Sequence, residues 1–98
     1  MVTRRKIRTI LSNIKKLIKK LIKKFRSVPA DFKYAELKTL LEYLGYEESN
    51  SGKTSGSRVR YIHPDLTPIL IHKPHPGSEM KKYIIRELIS KLEERGQL

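Results

Sequence analysis

Apolar residues near the start of the chain recur in steps of three and four: Ile7, Ile10, Leu11, Ile14, Leu17, Ile18, Leu21, Ile22 and Phe25. That spacing gathers them on one stripe of an α-helix, and Lys15, Lys16, Lys19, Lys20, Lys23 and Lys24 fall on the opposite side. The pattern predicts a helix over roughly residues 3 to 26, ended by Pro29, whose ring cannot continue it. After the linker Val28-Pro29-Ala30-Asp31, a second amphipathic helix is marked by Leu37, Leu40, Leu41 and Leu44. Gly45 closes it, because glycine takes the left-handed backbone that a helix end needs.

The periodicity then changes. Tyr46 to Ser49 reads as a short strand, and residues 49–57, Ser-Asn-Ser-Gly-Lys-Thr-Ser-Gly-Ser, read as a loop with amides able to meet an anion, although ordinary hairpin loops share that composition. From Arg58 to His63 the chain alternates, with Val59 and Tyr61 on one side and Arg58, Arg60 and Ile62 on the other. This is a strand with a basic outer face. His63-Pro64-Asp65 starts a turn, Ile69 to Lys73 forms a further strand, and Pro74-His75-Pro76-Gly77 leads to Ser78, a suitable N-cap. A final helix carries Met80, Ile84, Ile85, Leu88, Ile89 and Leu92 and stops near Gly96.

The expected fold is therefore α+β. A long basic helix (1–30 with its linker) precedes a small α-β-β-β-α domain (31–98), whose three-stranded antiparallel sheet has helices on one face and an open face opposite. A chain of 98 residues supports one modest core, and a large substrate cavity is not expected.

Charge changes this picture. The formal net charge is +12, but residues 1–26 hold eleven Lys or Arg and no acid, while residues 27–98 hold eleven basic and ten acidic residues. The charge thus belongs to the first helix. It attracts polyanions, meaning nucleic acid or an anionic lipid surface. Three readings of the helix stay open: its stripe packs on the domain or on a second copy of the chain; its lysines grip phosphates; or it lies on a membrane surface, the least favoured of the three. There is no cysteine, which excludes disulfides and thiolate metal sites and suits a reducing cytoplasm. Lysine pairs interrupt every apolar pair, so neither a secretory signal nor a bilayer span is expected.

Three segments carry a family likeness: Phe32-Lys33-Tyr34-Ala35-Glu36-Leu37 to Leu44-Gly45-Tyr46, Ser55-Gly56-Ser57-Arg58-Val59-Arg60-Tyr61, and Lys73-Pro74-His75-Pro76-Gly77 before a last helix. In this order and spacing the chain resembles HicA toxins. The resemblance implies a double-stranded-RNA-binding-like fold, metal-independent cleavage of messenger RNA, and neutralisation by a HicB antitoxin that covers the active face. It also implies a catalytic histidine directly after a Gly-Ser pair. Here that pair is Gly56-Ser57, and the next residue is Arg58.

The substitution matters because cleavage through a 2′-hydroxyl needs a group that exchanges a proton near neutral pH. Histidine does so and arginine does not. Arg58 can bind the scissile phosphate or stabilise its developing charge but cannot be the base. His75 matches a histidine of the family's loop before the last helix, so Arg58 and His75 are the catalytic candidates. His72 points by alternation to the face opposite Ile69 and Ile71, and His63 lies at a turn; the ordinary reading of each is a surface or cap residue. Prolines on both sides of His75 preclude helical pairing with His72, so no metal and no cofactor are expected. Gly52-Lys53-Thr54 only resembles the end of a phosphate-binding loop, since Glu47 stands where its first glycine would be.

The expected RNA-binding surface comprises Lys53, Ser57, Arg58, Arg60, Lys73, Lys81, Lys82 and Arg86, with Lys15, Lys16, Lys19, Lys20, Lys23 and Lys24 adding affinity. Recognition would be by shape and phosphate. Tyr46, Tyr61 and Tyr83 are able to stack bases, but core packing is the simpler role for each. The expected partners are RNA, a HicB-like antitoxin and a second copy bound through the first helix. The alternative is a non-catalytic nucleic-acid-binding or interaction module, with the helix serving oligomerisation or a membrane surface.

Overall fold

The structure, a computed structural model, describes residues 3–49, 58–75 and 78–98. Helix α1 spans Arg4–Arg26, one residue short of the start read from the periodicity, because Thr3 is its N-cap and accepts the Lys6 N–H at 3.4 Å. At its far end the Ser27 hydroxyl donates to the Lys24 carbonyl at 2.6 Å. Val28 then adopts a left-handed backbone (φ 49). That conformation costs a β-branched residue roughly 1–2 kcal/mol. Packing of Val28 against the core offsets it.

Helix α2 is Tyr34–Tyr43. Its start is fixed by Glu36, whose carboxylate accepts the Lys33 N–H at 3.0 Å, and its end by Gly45 at φ +98. Strands β1 (Glu47–Ser49), β2 (Arg58–Ile62) and β3 (Ile69–His72) form an antiparallel sheet in the order β1-β2-β3. Helix α3 is Lys82–Glu94. The architecture is α+β, with one long helix ahead of a helix, an open three-stranded sheet and a final helix.

The α3 start corrects the reading of Ser78 as its N-cap and of Met80 as a helical residue. Lys33 and Glu79 form an antiparallel bridge, the Met80 N–H donates to the Phe32 carbonyl at 2.7 Å, and Lys33 Nζ meets Glu79 at 2.8 Å. Residues 79–80 are thereby held to the segment before α2, and Lys81 becomes the N-cap. Met80 is in the core, as its apolar character demands, but from extended chain.

The core lies on one side of the sheet. Tyr46, Tyr61, Ile69 and Ile71 meet Leu37, Leu40 and Leu41 of α2, Ile85, Leu88 and Leu92 of α3, and Phe25 with Phe32, whose rings sit 5.2 Å apart. Arg95 locks the end of α3 to the β2–β3 turn. It donates to the Thr67 carbonyl (2.8 Å), to the Thr67 hydroxyl (2.7 Å) and to the Tyr46 hydroxyl (2.8 Å).

Helix α1 joins this body through its second half, where burial begins at Ile18. Phe25 is fully buried, Leu21 and Ile22 pack half-buried against the core, and ion pairs Lys24–Glu36 (3.1 Å) and Arg26–Glu93 (3.4 Å) strap it down. Its first half projects, which contributes to extents of 46 × 30 × 29 Å.

Candidate nucleic-acid interface

Alternation along β2 and β3 sorts the sheet into two faces. Tyr61, Ile69 and Ile71 are buried, whereas Arg58, Arg60, Ile62, Leu70 and His72 are exposed on the side away from the helices. Register then decides which outer residues meet. Arg58 pairs with His72, Arg60 lies between Ser49 and Leu70, and Ile62 pairs with Glu47. Directly opposed residues of an antiparallel pair have Cβ atoms about 4.5–5.5 Å apart. Arg58 and His72 are therefore cross-strand neighbours on an open face.

His72 also lines a cleft of about 750 Å³ that runs from the end of β3 to the start of α3, together with Lys73, His75, Lys81, Tyr83 and the apolar floor of Met80 and Ile84. Lys81 and Lys82 begin a helix with no acid in its first turn, so the positive end of the helix dipole adds to their charge. Arg86 follows one turn later and is exposed. Lys81, Lys82 and Arg86 make this end of the domain basic, and Glu79, which also lines the cleft, is engaged by Lys33. Lys73 stands over the Tyr34 ring at 5.1 Å, which holds its stem beside the cleft.

Beneath the sheet, the Tyr34 and Tyr61 hydroxyls are 2.7 Å apart, and Tyr34 donates to Glu48 at 3.3 Å. Burial pushes both phenols above the ordinary tyrosine range, with the acidic surroundings adding to the effect. They stay neutral and structural at physiological pH. Tyr46 is likewise buried, and its hydroxyl donates to Gln97 at 2.7 Å. Of the three tyrosines weighed for base stacking, only Tyr83 is exposed, at the cleft wall.

The three histidines separate clearly. His63 is a turn residue: its Nδ1 accepts the Asp65 N–H at 3.0 Å and its ring lies 5.0 Å from Tyr46. His72 and His75 share the cleft. Sequence reasoning singled out Arg58 and His75 but missed the pairing of Arg58 with His72. Alternation placed His72 on the correct face, and only the β2–β3 register could add its partner.

On α1, Lys15, Lys16, Lys19, Lys20 and Lys23 are exposed, while Lys24 is engaged by Glu36 and also lies 3.8 Å from Asp31. Lys53 and Ser57, with the rest of the loop at 50–57, lie outside the described residues, as do Pro76 and Gly77. Among the described residues no group of three or more His, Cys, Asp or Glu side chains is placed to hold a metal ion, and no helix is long and apolar enough to cross a membrane.

A protein-family model described as the HicA toxin of bacterial toxin-antitoxin systems matches residues 34–94. Those limits coincide with the first residue of α2 and the last of α3, so the match covers the sheet, its two helices and the cleft, and leaves α1 outside. No curated protein and no solved structure matches the chain.

Proposed function

Because the chain belongs to the HicA toxin family, we propose that it is the toxin of a toxin–antitoxin pair, acts on RNA through the open sheet face, and is neutralised by a HicB-like antitoxin that covers that face. The observation that carries this reading is the Arg58–His72 pair, exposed on the sheet and continuous with the cleft that holds His75. Arg58 and Arg60 bind the RNA backbone, and Lys73, Lys81, Lys82 and Arg86 extend the grip around the cleft. The lysines of α1 add sequence-independent attraction.

The proposed reaction is metal-independent transesterification. His72 takes the proton of a ribose 2′-hydroxyl, whose oxygen attacks the adjacent phosphorus. Arg58 stabilises the charge that builds on the phosphoryl oxygens. The P–O5′ bond breaks and His75 protonates the departing oxygen, giving a 2′,3′-cyclic phosphate and a 5′-hydroxyl. On this reading Arg58 keeps a charge-stabilising role, and the proton transfers pass to His72, its cross-strand partner, and to His75 in the adjoining cleft.

The test is cleavage of a defined single-stranded RNA by purified protein in excess chelator. His72→Ala and His75→Ala should each slow cleavage by about 10²–10⁴-fold with RNA affinity nearly unchanged. Full activity in His72→Ala would sink its role as the base. A second reading, a binder that does not cut, is favoured by Arg58 itself, since the resemblance puts a catalytic histidine there. RNA left intact by wild-type protein at saturating concentration would establish it over the first.

A further inference from the structure

The apolar stripe of α1 meets two fates. Leu21, Ile22 and Phe25 pack on the domain core, and Ile18 is buried as well. Ile7, Ile10, Leu11, Ile14 and Leu17 remain 44–65% exposed, five large side chains within about 15 Å of helix axis. A contiguous exposed apolar stripe of this kind marks an interaction surface. It lies outside the residues matched by the family model, so it is a feature of this chain rather than of the family domain.

We propose that this exposed stripe docks an acidic amphipathic helix of a protein partner. The rims of the stripe set the partner's charge. At 100° per residue, Arg4, Arg8 and Lys15 border one edge and Lys6 the other, and α1 contains no acid. A helix laid along the stripe needs an apolar seam flanked by Glu or Asp. A second copy of α1 meets the same rims with like charge, which opposes pairing.

Shape excludes a flat occupant. The covered and uncovered residues belong to one stripe, so the domain body rises on the side to which the exposed residues point. A planar bilayer brought against Ile7 to Leu17 runs into that body. A helix, only about 10–12 Å across, fits the corner between the projecting arm and the domain. Lys16, Lys19 and Lys20 point elsewhere, so RNA can be held at the same time.

The test uses the full chain and a synthetic peptide of three heptads with Leu and Ile at the seam and Glu on both flanks, compared with a scrambled isomer of equal charge. Calorimetry at physiological salt should show at least tenfold tighter binding of the patterned peptide. Ile10→Asp/Ile14→Asp should abolish that preference. Ile10→Ser/Ile14→Ser should do the same without added charge, with the helical circular dichroism and melting of both variants retained. Equal binding of the two peptides would overturn the proposal, leaving charge alone. It would also be overturned by a micromolar dimer in sedimentation that the Ser variant dissolves. Tighter binding to phosphatidylglycerol–phosphatidylcholine vesicles than to the peptide, lost in the same variant, would overturn it in favour of a membrane surface.

Discussion

Phe25 and Ile14 stand on the same stripe of the same helix about three turns apart, yet Phe25 is fully buried and Ile14 is 44% exposed. Both halves of α1 keep the same apolar period and carry basic residues without acid, although the lysine pairs belong to the second half. What separates them is the body behind: the second half meets the core beside Phe32 and α2, and the first half extends past it. Amphipathic periodicity shows that a face is made to be covered. It does not name the cover.

Truncating each residue should separate the two halves most clearly. Phe25→Ala should destabilise the fold by about 3–5 kcal/mol, and Ile14→Ala should stay within about 0.5 kcal/mol, both read from urea unfolding. Similar losses would mean that the projecting half is also covered in the isolated protein. The charge on the far side of the helix gives a second contrast. If it serves RNA, replacing Lys16, Lys19, Lys20 and Lys23 by Gln should flatten the dependence of log affinity on log salt by up to about 3, without changing the melting temperature. An unchanged slope would confine RNA contact to the domain.

Two glycines sharpen the role of the body. A Cβ at Gly45 (φ +98) would lie 2.8 Å from His63 Nε2, whereas one at Gly96 (φ +73) would meet nothing within 4 Å. Gly45→Ala should therefore cost about 1–3 kcal/mol and Gly96→Ala nearer 1 kcal/mol, measured by the same unfolding assay. The smallest effect concerns the Lys33–Glu79 clamp. The hydrogen bond from Lys33 holds the Glu79 carboxyl below its ordinary value. A depressed folded-state value adds stability that is present above the ordinary carboxylate range and fades as pH falls through the folded value. Lys33→Ala should flatten the acid limb of a melting-temperature profile slightly and leave the neutral region almost unaltered.

Features set by local chemistry were legible in the chain. The limits of α1, the Gly45 stop and the outward Arg58 and Arg60 all follow from steps of three, four or two along neighbouring residues. Where distant segments decide, reading failed. Ser78 looked like an N-cap because its own surroundings allow it, but Phe32 and Lys33, far back in the chain, hold Glu79 and Met80 extended. The Arg58–His72 pairing depends on the turn at 63–68, where His63, Asp65, Thr67 and Arg95 fix how β3 returns along β2. No periodicity along β2 or β3 alone contains that register.

The projecting half of α1 also bears on how long the protein lasts. An isolated helix of that length is marginal in water, so the arm should open far more often than the body, exposing Arg4 to Lys16 as a run of tryptic sites next to apolar residues. A protease should trim it back toward the last, packed turns before it cuts the domain. A partner seated on the stripe would hold the arm closed, so occupancy would be read out as lifetime: the bound chain persists and the unbound chain is nicked first at its N-terminal arm.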